Sequence, residues 1–394
     1  PMLGIFLGEI VNPWYLVVAY NIVLPVLVFW FANNVLEARP ITFSAVDISE
    51  HPGTVNADKF LLKFSDKKIY LDSLIVAAII EITIFAISIY LLPMPLTHSL
   101  TSVGITMLLV ASMAAGIGVY SYGKSRNLKK IGDEVQTIET EFAEAIFQLG
   151  YRINRGTPLE KAVEETVNEL KGFKIKDLFE KILTNMKNLG MTFQQSLYDK
   201  NYGVEKYYPS RIVKAVMRVI SDSAQRGTVV AANAMMVVNK YLKGLHSTQE
   251  KIDDTLSETT SELSFLAYFL IPLMAGIIVA LNQLMLNILA TLSIKIQELT
   301  QVSGLIGFNP VESIIHLQAA TTPEMMQLIV GIYVVELSVL MAYLIVGITK
   351  GINPVDIYDL TVKILLVSTI VYIVTVIGVG SVFGNIVTLI ETSI

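Results

Sequence analysis

Six apolar runs punctuate this chain, near Trp14–Phe31, Ser73–Leu92, Leu100–Tyr120, Ser264–Leu286, Met325–Ile348 and Asp359–Val379. Crossing roughly 30 Å of hydrocarbon takes about 20 helical residues, and each run is close to that length. Trp14 and Trp30, the two tryptophans of the chain, frame the first run. A helix from one to the other covers about 24 Å, a fitting separation for two interfacial anchors. Pro25 lies between them and predicts a kink.

Between the third and fourth runs the pattern changes to helical stripes on a polar background. Phe142, Ile146, Leu149 and Ile153 recur at helical spacing, as do Leu178, Ile182, Met186 and Leu189. A third stripe runs Val230, Ala234, Val237, Tyr241 and Leu245. No part of this block alternates like a strand. Gly156-Thr157-Pro158 breaks the first helix and puts Thr157 at a capping position with Pro158 at the first helical one. Gly190-Met191-Thr192 does the same with Thr192 as the cap, Tyr208-Pro209 opens a helix toward Gln225, and Arg226-Gly227-Thr228 ends it and starts a long last one. About six helices in an antiparallel bundle follow from these signals. The last is polar near its end, with Asp253, Asp254, Glu258 and Glu262, and runs directly into the apolar run at Ser264.

Composition agrees with that division. Of 394 residues 53% are hydrophobic and 16% charged, and mean hydropathy is +0.59. Soluble domains carry about 25% charge, so the chain reads as an integral membrane protein. The segment Ser121–Leu263 holds 21 of the 29 Lys and Arg and 19 of the 34 Asp and Glu. The expected fold is therefore all-α: a polytopic membrane protein with an inserted cytoplasmic antiparallel helical bundle. Its parts are a membrane region of three spans (1–120), the bundle (121–263), and a second membrane region of three spans (264–394). Lys124, Arg126, Lys129 and Lys130 follow the third span and place the bundle in the cytoplasm, where they meet anionic lipid headgroups. Alternation then puts Pro93–Ser99 and the loop Asn287–Glu324 outside, and the turn Thr349–Tyr358 and the segment 37–72 inside. The chain begins Pro-Met and shows no signal-peptide pattern, so the numbering is expected to start inside a longer chain.

At this point the residues resemble a family. Phe142-Ala143-Glu144-Ala145-Ile146, Leu149 and Arg155-Gly156-Thr157-Pro158-Leu159-Glu160-Lys161-Ala162 look like the first helix pair of the type II secretion system F domain. Leu189-Gly190-Met191-Thr192-Phe193-Gln194-Gln195-Ser196-Leu197 is similar to that family's Gly-x-Ser-Leu-x-x-Ala-Leu turn. Ala224-Gln225-Arg226-Gly227-Thr228-Val229 stands where the family has a glycine-containing turn, and Ile271-Pro272 resembles the proline near the start of the next membrane helix. The likeness covers about Val135–Leu281. Three spans after the domain resemble the archaeal members. Many members carry two copies of the domain, whereas one is visible here. The family's acidic residue before the last turn has Asp222 as its nearest counterpart. The resemblance implies a non-enzymatic inner-membrane platform of pilus, archaeal flagellum or secretion machinery. Its implied partners are a cytoplasmic hexameric secretion ATPase, pilin-like subunits and membrane lipids, and a homodimer is expected.

Candidate chemistry is sparse. The chain has no Cys, which excludes disulfides, thiolate nucleophiles and Cys-ligated zinc. His51, His98, His246 and His316 are too scattered for a metal site or a catalytic triad. No catalytic residue, cofactor or metal is expected, and the near-neutral charge gives no ground for nucleic acid as a partner. Gly118-Val119-Tyr120-Ser121-Tyr122-Gly123-Lys124-Ser125 matches a P-loop string, but it ends a membrane run rather than a strand. Glu81 and Glu336 fall inside the second and fifth runs, where an ionisable group is a functional candidate or a helix-packing carboxyl. A secondary transporter using these two carboxylates is the alternative function, although no inverted repeat is visible. Arg211, Lys214 and Arg218 share one helix face, and the resemblance makes that face a candidate ATPase-docking stripe. Gly380 and Gly384 form a small-xxx-small pair in the last run.

Overall fold

The computed structural model describes residues 13–37, 59–64, 67–91, 100–208, 210–303 and 322–393. The elements are α1 (Pro13–Val18), a π-turn (Ala19–Val23), α2 (Leu24–Glu37), strands β1 (Lys59–Phe64) and β2 (Lys67–Asp72), α3 (Ser73–Tyr90), α4 (Leu100–Asn154), α5 (Leu159–Glu169), α6 (Lys176–Leu189), α7 (Phe193–Tyr198), a 3-10 turn (Glu205–Tyr207), α8 (Arg211–Gln225), α9 (Thr228–Phe265), a second π-turn (Leu266–Leu270), α10 (Ile271–Ser303), α11 (Pro323–Thr349) and α12 (Pro354–Ser393). The chain divides into two compact units. One comprises Pro1–Pro40, Phe60–Gly123 and Thr259–Ile394, and the other Ile41–Lys59 and Lys124–Glu258.

Six helices are long and apolar enough to cross a membrane, within Trp14–Glu37, Ser73–Tyr90, Val103–Asn154, Thr228–Leu286, Pro323–Thr349 and Pro354–Val382. The protein is a multi-pass membrane protein. In the membrane unit α10, α11 and α12 pack on one another around Val279, Val330, Val334, Leu365, Tyr372 and Val376, and Met107, Val110 and Ala114 of α4 join them. The α11 span is the centre, 61% buried, whereas the first span is 6% and α3 17% buried. The peripheral helices dock through small contacts. Leu36 packs on Gly347, Phe29 on Tyr343 and Tyr20 on Tyr333, so the first span runs parallel to α11. Ser73 meets Gly123 and Glu81 meets Gly116, so α3 runs antiparallel to α4. Both directions follow from simple alternation of spans.

The two π-turns have one cause. Each ends two residues before a proline, Pro25 and Pro272. Proline has no N–H, and its ring crowds the carbonyl four residues back. The chain responds by widening the preceding turn: the Leu24 N–H bonds to the Ala19 carbonyl and the Ile271 N–H to the Leu266 carbonyl, both five residues back.

The second unit is helical, and its core joins Phe142, Ile146 and Leu149 of α4 to Leu178, Phe179 and Ile182 of α6, Leu197 of α7, Val213 and Ile220 of α8 and Met235 of α9. Arg152 of α4 reaches Glu165 (2.8 Å) and Glu169 on α5. Gly190 ends α6 with φ 62°, and Thr192 opens α7 with a capping box completed by Gln195.

Four expectations change. The fold, expected to be all-α, includes the hairpin β1–β2 within segment 37–72; two intervening residues leave room for an antiparallel pair alone. The loop expected from Asn287 starts instead as helix, since α10 continues to Ser303. Thr157 does not cap α5: the N-cap is Pro158, without a side-chain bond. The third stripe faces outward at Val230 (44% exposed), Val237 (69%) and Tyr241 (64%), while Ala234 is half-buried and Leu245 packs at the edge of the core. The buried face of α9 is the neighbouring one, Ala231, Ala232, Met235 and Leu242. Gly150 of α4 explains the choice, because a Cβ there would lie 2.8 Å from the Met235 Cβ. At this close approach Met235 packs directly over Gly150, with the Ala232 backbone beside it.

Candidate functional site

Both intramembrane carboxylates lie at the centre of their helices. Glu336 is the middle residue of the 27-residue α11. Tyr333 is on the same face one turn earlier. Its ring stands edge-on to Tyr20 in the first π-turn, with centroids 6.1 Å apart and planes at 81°. Asn21 follows Tyr20 within that turn. Asn21 Oδ1 in the first π-turn and Glu336 Oε2 on α11 are each buried and have no hydrogen-bond partner among the described residues. Sequence reasoning found Glu336 but missed Tyr20, Asn21 and Tyr333. The available signal was an asparagine in an apolar run four residues before a proline.

Glu81 sits midway along the 18-residue α3, on the face that also carries Ser73, Ala77 and Ser88. A Cβ on Gly116 would come within 2.5 Å of Glu81 Oε2, so the absent side chain at 116 makes the seat for this carboxylate. Glu81 is nonetheless exposed on the protein surface. Glu81 rests on α4, whereas Glu336 is on α11, where its neighbour Tyr333 meets Tyr20 of the first span.

A further polar layer crosses the membrane unit. The Gln283 amide donates to Gln327, Gln327 donates to the Val103 carbonyl at 3.1 Å, and the Tyr372 hydroxyl donates to the Gln327 carbonyl at 2.9 Å. Gln327 is fully buried, so this network ties α4, α10, α11 and α12 together. Asn282 beside it is 3% exposed and its amide has no partner among the described residues.

The basic stripe on α8 is less uniform than its spacing. The Arg211 side chain lies outside the described residues, Lys214 is half-buried and Arg218 is exposed. Lys214 borders a small recess lined by Leu178, Tyr198, Glu205 and Tyr208. Burial and the nearby Glu205 push the Tyr198 hydroxyl up to about 12, with Arg218 and Asp222 also acting on it. The stripe thus has acidic neighbours within its own unit. Lys124 and Lys129 are half-buried and Arg126 and Lys130 exposed, with Lys129 3.7 Å from Asp133.

The P-loop string lies wholly inside α4, which is helical from Leu100 to Asn154. Its backbone N–H groups are committed to helix bonds and cannot converge on a phosphate. His51, His98 and His316 lie outside the described residues. His246 acts on Glu139, whose carboxyl accepts from Ser210 and is raised above the ordinary carboxylate range by burial. Ser210 in turn caps α8 by accepting from the Val213 N–H. Among the described residues no cluster of three or more His, Asp or Glu is placed to hold a metal. No family model, curated protein or solved structure matches this chain.

Proposed function

We propose that this protein is a non-enzymatic membrane platform of the F-domain type, which couples a cytoplasmic hexameric secretion ATPase to the insertion or extraction of pilin-like subunits. One observation carries the reading. The strings that resemble the F domain fall at turns of a helical unit whose chain enters and leaves within membrane-length helices: Gly156 (φ 89°), Gly190 (φ 62°) and Gly227 (φ 123°) each occupy a positive-φ turn. Helix continuity supports the coupling. The unbroken stretch Thr228–Leu286 contains α9, the second π-turn and the start of α10. Movement imposed on α9 is transmitted along a hydrogen-bonded rod into the bilayer. The helical unit faces the cytoplasm in this reading, and Lys124, Arg126, Lys129 and Lys130 rest at anionic headgroups. Lys214 and Arg218 contribute to the ATPase contact, and two copies form a dimer. The test is binding of a secretion ATPase to the full chain in nanodiscs: saturable, salt-sensitive binding is expected, and its absence with every ATPase encoded beside this protein would overturn the reading.

The second reading, a secondary transporter, is favoured by Glu336, a span-centre carboxylate with an unpartnered oxygen. It requires Glu336-dependent ion flux in sealed vesicles, and a parental flux rate in Glu336→Gln would exclude it.

A further inference from the structure

We propose that the outer face of α9 is a seam on which two copies of this chain pair in parallel, related by a two-fold axis. The inference deepens the dimer named above by giving it a surface, and rests on no other part of that reading. It starts from what α9 leaves uncovered. The inner face, Ala231, Ala232, Met235 and Leu242, is buried in its own unit. A second stripe runs Val230, Ala234, Val237, Tyr241, Gly244 and Thr248. Its steps alternate between four and three residues, the heptad spacing of paired helices. Val230, Val237 and Tyr241 are exposed, on a helix that also carries the exposed charges Lys240, Lys243 and Glu250. Large apolar side chains in a row on such a helix mark a contact surface. Gly244 falls on the same stripe. Glycine inside a helix costs stability relative to alanine, and a Cβ added at Gly244 would meet no other element among the described residues. Its own fold gives no reason for the missing side chain, whereas a helix approaching from another chain does. The Thr248 hydroxyl donates to the Gly244 carbonyl at 2.8 Å, so its proton needs no acceptor across the seam.

The chemistry of the stripe selects the occupant. In a parallel two-fold pair every seam residue meets its own copy, so a charge on the seam would face its like. From Val230 to Thr248 the stripe carries none. Lys240 and Lys243 fall off it, and the seam ends where Lys251 takes the next heptad position. Direction and register are set in advance. The helix continues into the membrane-length stretch Thr228–Leu286, so two copies in one bilayer present the same residues at the same height and in the same direction. Tyr241, the largest side chain of the stripe, lies one turn from Gly244, the smallest. The surface therefore offers its copy both a ring and the space for one. Because α9 is already folded on its own core, pairing does not have to offset the cost of forming the helix.

The chain has no cysteine, so single introduced cysteines report without background. With the full chain in liposomes under mild oxidation, Val237→Cys, Tyr241→Cys and Thr248→Cys should each cross-link to their own copy. Glu250→Cys, on the far side of the helix, should not. In mild detergent the mass of the parent should rise from one copy to two with concentration. Val237→Lys and Val237→Glu each set like charges face to face and should weaken pairing by about tenfold or more. Both should keep the parental helix content by circular dichroism, because the position is exposed. Mixing the two variants should restore a pair with one copy of each, a recovery that a folding defect in either would prevent. Gly244→Leu should leave the single copy folded and weaken pairing, since the added side chain has room in one copy and not between two. A one-copy mass at every concentration, cross-linking at Glu250→Cys equal to that on the stripe, cross-linking at one stripe position alone as in an antiparallel pair, or no pair from the mixed Lys and Glu variants would overturn the proposal. Loss of ATPase binding bears on the platform reading alone, and these readouts bear on the seam alone.

Discussion

The two units differ in where most of their close-packed glycines lie. In the membrane unit five glycines sit in helix interiors where another helix comes closest, Gly116 under Glu81, Gly123 under Ser73, Gly276 under Thr375, Gly331 under Val110 and Gly347 under Leu36, whereas Gly104, Gly118 and Gly378 face open space and Gly351 takes a positive-φ turn. In the helical unit Gly156, Gly172, Gly190 and Gly227 occupy turns with positive φ, and an added Cβ at any of them would meet nothing. The solvent explains the difference. Lipid tails are as apolar as leucine, so burying leucine against another span gains little, and close backbone approach supplies the attraction instead. Water rewards burial of large side chains, so the helical unit packs Phe142, Phe179 and Ile182 and reserves glycine for reversals. Gly150 is a helix-interior glycine in the water-type unit, and it marks the place where α9 turned its alanine face inward.

The contrast predicts where each unit breaks. Phe142→Ala should have the largest effect, about 3–5 kcal/mol, because the ring is fully buried and stacked 6.5 Å from Phe179. Limited proteolysis of the full chain should then cut within 124–258 and spare the spans. Next, Gly116→Val should cost about 1–3 kcal/mol by forcing Glu81 off its seat. Gly118→Val, two residues on and facing open space, should be close to neutral, and equal thermal shifts for the pair would remove the close-approach argument. Gly190→Ala should cost about 1–2 kcal/mol through its left-handed backbone, and Thr192→Ala about 1 kcal/mol through the lost cap. Thermal melting of both variants checks these values.

The smallest effect is pH-dependent. Burial raises the Glu139 carboxyl above its unfolded value. A raised acid favours the folded state while protonated, and that contribution disappears as pH rises through the folded pKa. Glu139→Gln should therefore match the parent below the ordinary carboxylate range and gain stability on it at neutral pH. A parent that gains on the variant as pH rises would reverse the assignment.

Much of this protein was legible because each solvent imposes a pattern. The six spans follow from run length, and the change of packing rule follows from charge: the polar block Ser121–Leu263 overlaps the compact unit's Lys124–Glu258. The turns at Gly190 and Gly227 and the cap at Thr192 were also readable, since local backbone geometry demands those residue types. Which face of α9 is buried was not. That helix offers two apolar stripes one residue apart, and the larger one, Val230, Val237 and Tyr241, was the wrong choice. The distance to α4 decided it, a property of two helices that neither carries alone. The carboxylates divide in the same way. Run length and position put Glu81 and Glu336 at membrane depth, but Gly116 on another helix seats one, and the π-turn on the first span brings Tyr20 onto Tyr333, one turn from the other. Sequence by itself determined what each segment is dissolved in and where it turns. Tertiary structure decided which faces meet, because that depends on the closest distance two backbones can reach.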